Sequence, residues 1–78
     1  MPRIHRTRYD AALAGLLDPI FCERLTYRER ECLSLRGCGM SVEAIATGMG
    51  ITWSTVWDYR SQAAAKWAAY IEEGLSNG

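Results

Sequence analysis

The segment Ser41–Trp67, SVEAIATGMGITWSTVWDYRSQAAAKW, divides into a short helix, a tight turn and a longer helix. Ala46, Gly50 and Val56 stand at the spacing of a helix-turn-helix. That motif needs a small residue where the two helices touch, a glycine in the bend and a branched apolar residue beneath the second helix. Ser41 is a suitable N-cap for the first helix, and Glu43 falls in its first turn, where a carboxylate suits the positive end of the helix dipole. Thr52 is the matching cap of the second helix. Gly50 can take a positive φ at little cost, so the chain can reverse within a few residues. An ordinary helical hairpin shares this outline, but three matched positions with two caps favour the helix-turn-helix. The fold class that follows is all-α: a small bundle of four to five helices with a long C-terminal recognition helix.

Outward from this segment, composition narrows the function. Seventy-eight residues make one domain with a modest core, and 49% hydrophobic residues mark a globular chain. Nine basic residues balance nine acidic ones. Bulk charge therefore provides no nucleic-acid affinity, and any such site must be a local patch. No apolar run reaches the roughly 18 residues of a membrane span, and no secretory signal is expected. Cys22, Cys32 and Cys38 include no CxxC pair, and His5 is remote from them, so no metal site is expected. Small apolar cysteines in a reducing cytoplasm fit better.

Residues 1–8, MPRIHRTR, carry Arg3, Arg6 and Arg8 without an acid and read as a basic arm. Such an arm suits phosphates or a minor groove, and equally a solvated terminus. Residues 9–75 form the single domain, and 76–78 a tail. Thr7 and Asp10 resemble a capping box, and Tyr9, Leu13, Leu16 and Leu17 recur at helical spacing, which predicts an amphipathic helix over about 8–17. Asp18-Pro19 ends it and can start another turn, with Ile20, Phe21 and Leu25 as the buried side. Thr26 and Glu29 form a better capping box. The helix they open, about 27–36, buries Cys32, Leu33 and Leu35 and presents Arg28, Arg30 and Arg36, with Glu31 or Glu29 as partners for Arg28. Gly37 and Gly39 break it.

The last helix contains no Gly or Pro from Trp53 to Gly74, about 30 Å at helical rise. Its apolar seam is Val56, Tyr59, Ala63, Trp67, Tyr70 and Ile71. The second half outruns the preceding helices, so Trp67, Tyr70 and Ile71 need cover, from the N-terminal helix or from a second copy. A homodimer built on them would present two recognition helices to two half-sites.

From Leu25 to Trp67 the chain resembles the DNA-binding domain of LuxR/NarL-type (GerE-like) response regulators. Its opening signature is matched by Leu25, Thr26, Arg28 and Glu29. The Leu-x-Leu core follows at Leu33 and Leu35, Gly-x-Ser at Gly39 and Ser41, Ile-Ala at Ile45 and Ala46. Ile51 and Thr52 end the turn, Thr55 and Val56 open the recognition helix, and Lys66 closes it, with Trp67 in place of leucine. Region 4 of bacterial sigma factors shares much of the pattern, at Arg28-Glu29-Arg30, Leu35-Arg36, Tyr59 and Ala64-x-Lys66. Three positions depart from the regulators: Ala44 replaces a glutamate, Trp57 a lysine and Tyr59 a histidine. No receiver or ligand-binding domain precedes the motif within these residues, and the regulators' following helix has no room after Gly74. Phosphorylation and autoinducer control are therefore not carried over.

The resemblance implies double-stranded DNA as partner. It places Trp53, Ser54, Trp57, Asp58 and Ser61 toward bases, and Thr55, Tyr59, Arg60 and Lys66 toward phosphates. Arg28, Arg30, Thr52 and the arm complete the backbone contacts. Trp53 and Trp57, four residues apart, form one stripe suited to thymine methyls, to the core or to a protein partner. Two functions follow: a small stand-alone DNA-binding regulator, bacterial or phage-encoded, or a protein-binding module on the same frame that grips RNA polymerase or another regulator. An enzyme is not expected, because no paired carboxylates, activated nucleophile or metal spacing occurs. Neither a cofactor nor a small-molecule ligand is implied.

Overall fold

A computed structural model of the chain describes residues 11–77, with side chains over 11–74. A 3-10 segment, Ala11–Leu17, is followed by α1 (Pro19–Glu23), α2 (Tyr27–Gly37), α3 (Val42–Met49) and α4 (Trp53–Asn77). No strand occurs among the described residues. The basic arm and the Thr7–Asp10 box lie outside them.

Each α-helix begins at a cap legible in the sequence. Asp18 Oδ1 accepts from the amides of Ile20 (3.0 Å) and Phe21 (3.2 Å), with Pro19 in the first turn. Thr26 Oγ1 accepts from the Glu29 amide at 3.2 Å while Glu29 Oε1 accepts from the Thr26 amide at 2.9 Å, a complete capping box. Ser41 Oγ accepts from the Ala44 amide at 3.1 Å. Thr52 Oγ1 accepts from the Thr55 amide at 3.3 Å. Between α3 and α4 the chain reverses at Gly50, φ +67°, and the Ile51 amide returns to the Ala46 carbonyl at 3.0 Å. That six-to-one bond closes a Schellman turn, which needs a left-handed residue at this position.

Two apolar clusters meet along α4. Ala12, Phe21, Leu25, Leu33 and Ala63 form one, with Leu13, Leu16, Trp67 and Tyr70 against it. Cys32, Ile45, Ala46, Met49 and Val56 form the other, with Tyr59 and Ile51 among its flanks. Ala46 and Val56 thus meet as the motif requires. Phe21 is fully buried, its ring 4.9 Å from that of Trp67 in an edge arrangement and 5.6 Å from that of Tyr70. In this aromatic trio Phe21, with the first segment, thus gives Trp67 and Tyr70 half of their cover from within the same chain, the first of the two covers expected for them. Ile71 alone of the three stays exposed, at 41%.

Five further expectations are corrected. The first segment winds as a 3-10 helix over its described length, and its burial repeats every three residues: Ala12 and Gly15 buried, Leu13 and Leu16 half-buried, Ala11, Ala14 and Leu17 exposed. Three residues per turn move Leu17 off the face that a 3.6 period assigns it. The cause lies just downstream, where the Asp18 amide bonds Gly15 at 3.0 Å and Pro19 has no amide to extend the segment. Ile20 is 60% exposed, because the five-residue α1 buries only Phe21. Leu35 is only half-buried, and α2 runs one residue longer than expected, to Gly37. Lastly, α4 does not stop at Gly74 but continues to Asn77.

Candidate nucleic-acid interface

The exposed tip of the helix-turn-helix is the start of α4. Trp53, Ser54, Asp58 and Ser61 are all exposed, Trp53 at 59%. Trp57, the remaining position expected to face bases, is half-buried. Its ring lies 6.3 Å from that of Trp53 at an interplanar angle of 73°, and the Arg60 guanidinium sits 4.5 Å from its centroid. Indole and guanidinium attract in this arrangement, so Trp57 is a prop between Trp53 and the core more than a free reader. Thr52 is exposed, and its hydroxyl joins those of Thr55 (2.8 Å) and Ser54 (3.2 Å) in a small polar cluster at the helix start. Thr55 and Tyr59 are half-buried beside it.

The expected phosphate contacts divide differently. Arg60 is only 5% exposed, within the buried seam between Val56 and Ala63 and stacked on Trp57. It is a core residue here, which corrects the phosphate role. Lys66 is corrected likewise: its ammonium lies 2.6 Å from Oε1 of Glu29, a carboxylate whose side chain is 3% exposed. Burial opposes ionisation of Glu29, but the Lys66 ammonium and the Thr26 amide and hydroxyl outweigh it and hold the carboxyl below its ordinary range. Removing the cation would leave a buried charge without a counter-ion.

Arg28 bonds Glu31 (3.2 Å) and the Met49 carbonyl (3.2 Å), tying α2 to the C-terminal end of α3. A cation there meets the negative end of the helix dipole. With its side chain 42% exposed, it still borders the surface. The guanidinium of Arg36 donates to the Met40 carbonyl at 2.9 Å, and Arg24 pairs with Glu73 while lying 5.0 Å from the Tyr70 centroid. Arg30 is exposed. Most described cations thus brace the fold.

Three features escaped the sequence reading. Glu29 was visible as a capping residue, not as a buried counter-ion. Gly15 faces Phe21 so closely that an added Cβ would lie 2.2 Å from the ring. Tyr70 donates to Asp18 Oδ2 at 2.6 Å across 52 residues of chain. That bond lowers the carboxyl's pKa and raises the phenol's.

No group of His, Cys, Asp or Glu side chains suited to a metal occurs among the described residues. No helix among them is long and apolar enough to cross a membrane. No curated protein and no solved structure matches the chain significantly. The family model GerE, described as "Bacterial regulatory proteins, luxR family", matches residues 23–70, more than half of the chain. That span opens just before the Thr26 capping box and closes at Tyr70, so it takes in α2, the Gly50 turn and the exposed tip together. A capped, glycine-hinged helix pair inside a match of that extent is the DNA-binding unit of such regulators, and the chain therefore belongs to the luxR family of bacterial regulatory proteins.

Proposed function

We propose that this protein is a stand-alone transcriptional regulator that binds duplex DNA as a homodimer and inserts the start of α4 into the major groove. The observation that carries the reading is the exposure of Trp53, Ser54, Asp58 and Ser61 at the start of the second helix of a helix-turn-helix. These four residues, with Trp57 behind Trp53, read bases. Thr52, Thr55, Tyr59, Arg28 and Arg30 border the groove and contact phosphates, and the arm at Arg3, Arg6 and Arg8 adds backbone charge. Residues 1–8 act as this arm, attached to a single domain over 9–75. Arg60 and Lys66 hold the frame.

A second copy docks on the edge where Ile20 and Ile71 line one shallow groove, both exposed, with Leu17 exposed near the start of α1. A second copy there would pair two recognition helices, as a two-fold operator requires. The two copies would act in a bacterial or phage setting, with RNA polymerase as the downstream partner.

The test is a selection of bound sequences from a random duplex pool with the full chain. A palindrome with half-sites about 10 base pairs apart, or a multiple of one turn, is expected. A single asymmetric site would overturn the dimer. An empty pool at low salt would overturn duplex binding and favour a protein partner for the Trp53 stripe.

A further inference from the structure

We infer that Trp53 reads the C5-methyl group of a pyrimidine, thymine above all, and that the recognition helix makes no bidentate guanine contact. The inference rests on the duplex-binding reading above and names what that interface recognises.

The exposed positions over the first turns of α4 are Thr52, Trp53, Ser54, Asp58, Ser61 and Gln62, with no lysine or arginine among them, and the Gln62 amide matches adenine and not guanine. The arginine of these turns, Arg60, is 5% exposed and stacked on Trp57. Guanine presents two acceptors to the major groove, and its usual partner is a bidentate arginine or lysine. The Asp58 carboxylate has no proton to give and repels those acceptors. A single indole N–H cannot replace a two-donor fork, and hydroxyls discriminate weakly. What this tip offers is an acceptor at Asp58, suited to the amino groups of cytosine and adenine, an amide at Gln62 that matches adenine, and one large apolar surface.

That surface is held in place. Trp53 stands edge-on to Trp57, whose ring is in turn covered by Arg60. A propped indole has little rotamer freedom left to lose on binding. The thymine methyl is the apolar group that a base pair shows in the major groove.

The experiment uses the full chain and a duplex selected from the random pool. Each thymine is replaced in turn by deoxyuridine, which deletes only the methyl, and each guanine by 7-deazaguanine, which deletes the N7 acceptor. The expected result is a loss of about fourfold at one thymine per half-site, the worth of burying one carbon group, with no loss at any guanine. Trp53→Ala should bind the thymine and uracil duplexes alike, and Trp53→Phe should keep part of the preference. Because Trp53 is exposed, an unchanged thermal melt of Trp53→Ala confirms that the fold is intact. Equal binding of thymine and uracil forms at every position overturns the inference, as does retained discrimination by Trp53→Ala or loss at a deazaguanine. These outcomes leave duplex binding standing, whereas an empty pool overturns the duplex reading and this inference together.

Discussion

Lys66 and Glu29 show how one pairing redistributes roles among residues. Lys66→Ala leaves the Glu29 carboxylate, 3% exposed, without its cation. A fully buried broken pair costs about 3–5 kcal/mol, but the Lys66 side chain is 37% exposed, so about 1–2 kcal/mol is expected from urea melts. Where the variant is still folded, its duplex affinity should fall with salt as steeply as that of the parent. Arg30→Ala should instead leave stability unchanged and flatten the slope of log affinity against log salt by about one. A flatter slope for Lys66→Ala would restore the phosphate role. The same pair sets a pH response. The folded-state pKa of Glu29 lies below its unfolded value. Its stabilisation is therefore complete above the unfolded pKa and is lost as pH falls through the folded one. Glu29→Gln should melt earlier near neutral pH and show a shallower acid-side decline in Tm.

At the scale of elements, two glycines carry different loads. Gly50 sits at φ +67° with nothing within 4 Å of an added Cβ, so its cost is purely conformational. Gly50→Ala should destabilise by about 1 kcal/mol. Gly15→Ala meets no left-handed backbone penalty but drives a methyl into Phe21 and toward Trp67, at 2.2 and 2.8 Å. The aromatic trio must shift, at about 1–3 kcal/mol. Near-ultraviolet circular dichroism should register Gly15→Ala and leave Gly50→Ala almost unchanged. The caps at Asp18, Thr26, Ser41 and Thr52 were all legible, because each is settled by residues two or three positions away. The winding of Ala11–Leu17 was not. Its apolar residues fit a 3.6 period over so short a span, and the period of three goes with the Asp18–Gly15 bond ahead of Pro19 and with the close approach of Gly15 to Phe21.

For the whole molecule, zero net charge and a described surface whose cations mostly serve the fold predict modest electrostatic affinity. Removal of residues 1–8 deletes Arg3, Arg6 and Arg8. It should weaken binding to all duplexes alike and flatten the salt slope by about 2–3, at roughly 0.9 per phosphate released. Unequal loss among sequences would make the arm a reader of the minor groove.

The residues alone determined the helix-turn-helix, its caps and its glycine hinge, since all of these are interactions between near neighbours in the chain. Tertiary packing decided which side chains remain available for a ligand. Lys66 finds Glu29 37 positions away, and Tyr70 finds Asp18 52 positions away. The partner of a long polar side chain is set by which helices pack together, and no local pattern encodes that choice.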